Sequence, residues 1–185
     1  MMAPGREEDA FKYLQMALIT AMTPQAKTEA GLVMAEFLLD RATMKPEPYA
    51  LMARQYLEAV LDIAEKPEAR LRTYRGIMKA AALMKDIHTV ANACDKAIKL
   101  TPDDDVKVKF LLARIDAFLD VGTWKDVKQL LAEAEPYSTN PKWQYEFALR
   151  KAVMTGQVLL RDDWFEEWMD YTGGTVSIRS RANSA

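Results

Sequence analysis

LRTYRGIMKAAALMKDIHTVANACDKAIKLTP (71–102) and VKFLLARIDAFLDVGTWKDVKQLLAEAEPYST (108–139) carry small and large residues at matching offsets. Aligned on their turns, Asp86-Ile87 sits over Thr123-Trp124, Val90 over Val127, Cys94 over Leu131 and Ala97 over Ala134. The matched positions lie about 37 residues apart, a period in the range of stacked helical hairpins. Each half reads as helix, turn, helix. A lone hairpin of this kind leaves an apolar face uncovered, so the pattern predicts an extended scaffold whose units cover one another.

Working outward, the breakers divide the rest of the chain. Apolar positions Phe11, Leu14, Ala17, Leu18 and Ala21 predict an amphipathic helix over 6–22. Thr23-Pro24 supplies an N-cap followed by proline at the first helical position. The helix it opens is expected to bury Ala30, Val33, Met34, Phe37 and Leu38 and to end near Arg41. MKPEP at 44–48 stops that helix and starts a third, which runs to Glu65-Lys66-Pro67. A fourth is expected over 68–84 and a fifth over 87–100. Thr101-Pro102 repeats the cap-plus-proline signal, and Asp103, Asp104 and Asp105 place negative charge at the positive end of a sixth helix. Gly122 reads as its left-handed stop. A seventh spans Trp124 to Glu135, an eighth Pro141 to about Met154, and a short ninth Asp162 to Tyr171. Gly173-Gly174 ends the fold, which sets a helical domain over 1–171 and a tail or docking arm over 172–185.

No stretch alternates apolar and polar residues between turn signals, so the expected class is all-α. The short links predict antiparallel neighbours, and about nine helices paired at this spacing are expected to stack as a superhelix, although a compact bundle would give similar local patterns.

These residues resemble the tetratricopeptide-repeat family. Ala81, Val90, Ala97 and Pro102 fit its small, crossing and closing positions in one unit; Ala117, Phe118, Gly122, Trp124, Val127 and Ala134 fit them in the next. The match covers 71–138 well and 24–70 loosely. Ile77-Met78 and Arg114-Ile115 stand where the family carries its early tryptophan and Leu-Gly pair, and the period exceeds the family's ~34. The resemblance implies antiparallel hairpins stacked as a short right-handed α-solenoid, a degenerate helical-repeat scaffold for protein–protein interaction such as a structural or accessory subunit of a multiprotein assembly. A peptide-binding adaptor or co-chaperone is the runner-up it implies.

Composition agrees with a globular chain and narrows its chemistry. Half of the 185 residues are apolar and 28% are charged. A formal net charge of −2 argues against binding nucleic acid through bulk positive charge. No apolar run is long enough to span a membrane, so membrane insertion is not expected. The single cysteine excludes an intrachain disulfide. The acidic start MMAPGREEDAFKYL lacks a secretory core, which makes cytoplasm the expected compartment; an organellar matrix stays open if a presequence has been removed.

Catalytic and metal-binding constellations find no support. His88 is the only histidine, and six residues along a helix turn it about 240° away from Cys94. Asp103–Asp105 lack the alternating oxygens and central glycine of a calcium loop, VKVKF following instead. Asp162, Asp163, Glu166 and Glu167 alternate with Trp164, Phe165 and Trp168 as a solvated face alternates with a buried one. Without a phosphate loop, nucleophile elbow or zinc spacing, no enzymatic activity and no cofactor or metal is expected. An all-α enzyme and an RNA-binding helical repeat are the alternatives from other classes.

Two surfaces are candidates for partners. Arg72, Arg75 and Lys79 fall at i, i+3 and i+7 of the fourth helix, and Lys109 extends the set from the next unit. The resemblance implies that such first helices line a groove, where a basic stripe would hold an acidic peptide segment. The competing reading is a solvated face on which Glu68 pairs with Arg72, with Asp116 and Asp120 making the groove mixed in sign. The other candidate is the aromatic end formed by Trp164, Phe165, Trp168 and Tyr171. Either it caps the stack or it meets another protein subunit, with the GGTVSIRSRANSA tail threading into that partner.

Overall fold

A computed structural model describes residues 4–159. These form nine helices: α1 (Pro4–Thr20), α2 (Pro24–Ala42), α3 (Pro46–Ile63), α4 (Pro67–Leu83), α5 (Ile87–Leu100), α6 (Asp104–Val121), α7 (Trp124–Glu133), α8 (Glu135–Ser138) and α9 (Pro141–Leu159). The all-α expectation holds, with no strand among the described residues. The expected ninth helix, 162–171, lies outside the described residues, as does the tail over 172–185.

Local chemistry sets the helix ends. The Thr23 hydroxyl accepts from Ala26 N–H at 3.1 Å, with Pro24 at the first helical position. The cap of α6 is Asp103, not Thr101: its carboxylate accepts from Asp105 N–H at 2.8 Å and from Val106 N–H. A carboxylate next to the positive helix end attracts more strongly than a hydroxyl. Thr101 instead accepts from Asp103 N–H, which moves the start past Pro102. The seventh helix is also shorter than expected. It ends at Glu133, and Pro136 is the second residue of the single turn α8, because proline has no N–H to continue the earlier ladder.

The links after α4 and α6 are the same turn. Asp86 N–H donates to Ala81 C=O and Thr123 N–H to Phe118 C=O, at 2.9 and 3.2 Å. The residue before each donor is left-handed: Lys85 at φ 58° and Gly122 at φ 79°. This is a Schellman stop, and its two copies are 37 residues apart by subtraction. The starts of α4, α6 and α9, at 67, 104 and 141, keep that spacing, as do those of α5 and α7 at 87 and 124.

Each helix packs on its neighbour in sequence, and α2, α4, α6 and α9 also touch one another in that order. Two apolar cores result. The larger joins α2–α5 through Leu38, Leu57, Ile77, Val90 and Cys94; the smaller joins α6, α7 and α9 through Ile115, Val127, Leu131 and Phe147. The residues matched across the two hairpins, Val90 with Val127, Cys94 with Leu131 and Ala97 with Ala134, are all buried. Val33, expected in the core, is 37% exposed instead, because Leu32 and Met34 on either side of it turn the buried faces of α2 inward.

Close approach fixes two glycines. A Cβ on Gly31 would stand 2.4 Å from Cγ2 of the buried Val60, and one on Gly76 would stand 2.9 Å from both methyls of Leu57. Gly31→Ala should therefore lower unfolding free energy by about 1–2 kcal/mol in urea melts, overpacking outweighing the gain in helix propensity. Gly31→Ala with Val60→Ala should recover part of that loss relative to Val60→Ala alone; absence of coupling would remove the contact from the account. Lys85→Gly should raise stability by about 1 kcal/mol in the same melts, since glycine carries no left-handed penalty.

Candidate functional site

The side chains that join alternate helices define where the fold is closed and where it is open. At the α2–α4 seam, Arg72 lies between two carboxylates. Its Nε and Nη2 donate to the two oxygens of Glu36 at 2.8 Å each, and its Nη1 donates to Glu29 at 2.9 Å. These hydrogen bonds, Glu36 first, push the guanidinium pKa further up. The expected pairing with Glu68 is not the one formed. Glu68 sits in the first turn of α4, whereas the fork of Arg72 matches a carboxylate in both its oxygens only across the seam.

At the α6–α9 seam, Arg150 donates to Asp116 at 2.6 Å and to Glu146 at 2.8 Å from a side chain only 13% exposed. Lys142 pairs with Asp105, and Trp143 Nε1 donates to the same carboxylate at 2.8 Å. Lys142, then Trp143, hold the Asp105 carboxyl below its ordinary range. Arg114 ties α6 to α5 through Asp95 at 2.9 Å.

No ion pair joins α4 to α6 among the described residues. A cavity of about 300 Å³ opens there instead, with Met78, Phe110 and Ala117 at its floor and Arg75, Lys79, Lys109, Asp116 and Asp120 around it. Arg75 reaches over the Phe110 ring, 5.8 Å from its centroid. Lys79 and Lys109 are exposed. Asp116 is engaged by Arg150, so it offers little free negative charge, and cationic groups predominate around the opening. Three of the four residues proposed from sequence thus surround one cavity. The fourth, Arg72, is on the same helix but serves the neighbouring seam. Trp164, Phe165, Trp168 and Tyr171, the other candidate surface, lie outside the described residues, and so do Asp162, Asp163, Glu166 and Glu167.

A second cavity, about 520 Å³, lies between α1, α2 and α3 and is lined by Phe11, Phe37, Arg41, Tyr49 and Met52. Phe11 stacks on Phe37 at 6.3 Å, and the Arg41 guanidinium lies 3.7 Å from the Phe37 centroid. Apolar spacing assigned Phe11 and Phe37 to the core. Arg41, four residues after Phe37, was the available signal for a cation over an aromatic ring.

His88 and Cys94 do not converge. His88 is exposed in the first turn of α5, while Cys94 is fully buried. No helix among the described residues is long and apolar enough to cross a membrane. Comparison with protein-family models, curated proteins and solved structures found no match for this chain.

Burial pushes the Cys94 thiol up from its ordinary 9.0 to about 11, with Arg114 nearby opposing the effect. Native Cys94 should therefore resist iodoacetamide at pH 8 and react only under unfolding conditions; rapid native labelling would contradict its burial. The sign for stability follows. The contribution is full below pH 9 and is lost as pH rises towards 11, because the unfolded chain releases this proton first. Comparing urea melts of the wild type and Cys94→Ala across that window isolates the effect.

Proposed function

We propose that this chain is a non-catalytic protein–protein interaction scaffold, a structural or accessory subunit of a larger assembly. In this reading its hairpins stack as a short right-handed α-solenoid of the tetratricopeptide type, working in the cytoplasm with other protein subunits. The 37-residue recurrence of helix starts and of the left-handed turn supports the repeat reading. The α4–α6 opening carries the functional one. Two seams between alternate helices are closed by arginine–carboxylate pairs, and the one between them has cations around an apolar floor with no ion pair across it among the described residues.

Such a surface suits an extended acidic segment. Its carboxylates would meet Arg75, Lys79 and Lys109, and a small apolar side chain would enter above Met78 and Phe110. The same opening favours the second reading, a peptide-binding adaptor, because it does not require a large flat contact. A subunit remains bound to its partners at high salt, whereas an adaptor behaves as a stable monomer with micromolar ligands that salt displaces.

Arg75→Glu/Lys79→Glu should weaken binding of an acidic peptide drawn from a partner captured in the native source at least tenfold in calorimetry. Arg72→Ala should change that affinity less than threefold, since its guanidinium is committed to Glu29 and Glu36. Unchanged affinity in the double reversal would remove the groove from the proposal.

A further inference from the structure

The cavity of about 520 Å³ between α1, α2 and α3 has walls unlike those of the α4–α6 opening. Phe11 of α1, Phe37 of α2 and Tyr49 and Met52 of α3 line it, so three rings and a thioether converge from three helices. All four pack at the edge of the larger core and stay partly exposed. α1 and α3 both pack on α2, and the cavity lies between them with Phe37 and Arg41 as its α2 wall. A space of this size, walled by aromatic and aliphatic groups with a few polar ones, has the form of a pocket for a small organic molecule.

Its charges select the class of molecule. The Arg41 guanidinium lies 3.7 Å from the Phe37 centroid, and its Nη1 donates to Phe37 C=O at 3.5 Å, so the group is held against the ring. A guanidinium carries five N–H donors and can serve a further carboxylate alongside the partners it already has. Lys12 adds a second cation, and Glu8 is the one carboxylate of the lining, which leaves a single positive charge in excess at an apolar site. A cationic ligand would enter beside Arg41 and compete with it for the Phe37 face, which disfavours ammonium compounds. A neutral hydrocarbon would leave the excess charge unanswered. A flat ring meets aromatic walls in offset or edge-to-face contact. The complement is therefore a ring that carries one negative charge.

We propose that this cavity binds a small aromatic carboxylate, with its ring among Phe11, Phe37, Tyr49 and Met52 and its carboxylate on Arg41 and Lys12. Arg41 supplies the fork that meets both oxygens. Lys12, exposed on α1, supplies charge from the other side. The site shares no residue with the groove between α4 and α6 and is independent of it.

Titrating the full chain, labelled at its methionine methyls, with hydrocinnamate tests it by NMR. Met52 lines this cavity and Met78 the α4–α6 opening, so each methyl reports one site. The Met52 signal should shift and saturate with a Kd of about 1 mM or tighter, while Met78 stays in place. Hydrocinnamamide, the neutral counterpart, should bind at least fivefold more weakly, and phenylpropylammonium more weakly still. Arg41→Gln should weaken hydrocinnamate at least fivefold and leave the amide within twofold. Where Arg41→Gln disturbs the folded spectrum as a whole, Lys12→Glu decides, because that side chain is exposed. It should weaken hydrocinnamate at least threefold with the amide unchanged. A Met52 signal that does not saturate by about 5 mM overturns the proposal. So does equal affinity for carboxylate and amide, tighter binding of the ammonium compound, or affinity untouched by the substitutions. A shift at Met78 with none at Met52 assigns the ligand to the other opening and overturns it as well.

Discussion

Helix α6 is the element the rest of the described structure depends on, because both cores are built on it. Phe110 and Ala117 enter the larger core, while Val108, Leu111, Ile115 and Phe118 belong to the smaller one. A helix buried on two faces has little perimeter left for solvent, and α6 gives that remainder to Lys109, Ala113, Asp116 and Asp120. The candidate groove is therefore a consequence of packing. It is the strip of α6 that neither core requires.

Charge distributes along the alternate helices in a complementary order. α2 offers Glu29 and Glu36, α4 answers with Arg72, α6 offers Asp116, and α9 answers with Arg150. Exposed pairs such as those of Arg72 contribute little stability each, on the order of 1 kcal/mol or less. Their effect is on geometry: they fix which helix sits beside which, and at what height. Arg75 and Lys79 lie on the same stripe as Arg72, and of the two α6 carboxylates at the opening only Asp120 is not engaged by Arg150. Asp116, the counterpart of Lys79 in the 37-residue register, is already held from the other side.

Features decided within a few residues were legible in the sequence. Thr23, Gly122 and the prolines at 24, 67 and 141 act on their own backbone, and each marks a helix end in the structure. The turn alignment was legible for the same reason, since Asp86 and Thr123 open helices by local contacts. What was not legible depends on distant partners. The mate of Arg72 is 36 residues away at Glu36, beyond any i,i+4 logic, and that logic pointed to Glu68. Val33 has the hydropathy of a core residue, and only the approach of neighbouring helices decides that its side of α2 stays open. The gathering of Arg75, Lys79 and Lys109 could be read because all three follow one register. The neutralisation of Asp116 could not, because its arginine comes from α9.

The repeated left-handed turn has a consequence for binding thermodynamics. Lys85 and Gly122 each fix the direction in which the chain leaves α4 and α6 by backbone bonds alone, so each of the two hairpins that flank the opening holds its shape by local contacts. A surface prepared in this way loses little conformational entropy on association, and the cost of ordering falls on the incoming segment. Selection among acidic segments would then follow their stiffness as well as their charge: at equal net charge, the segment already extended in solution binds more tightly than the flexible one.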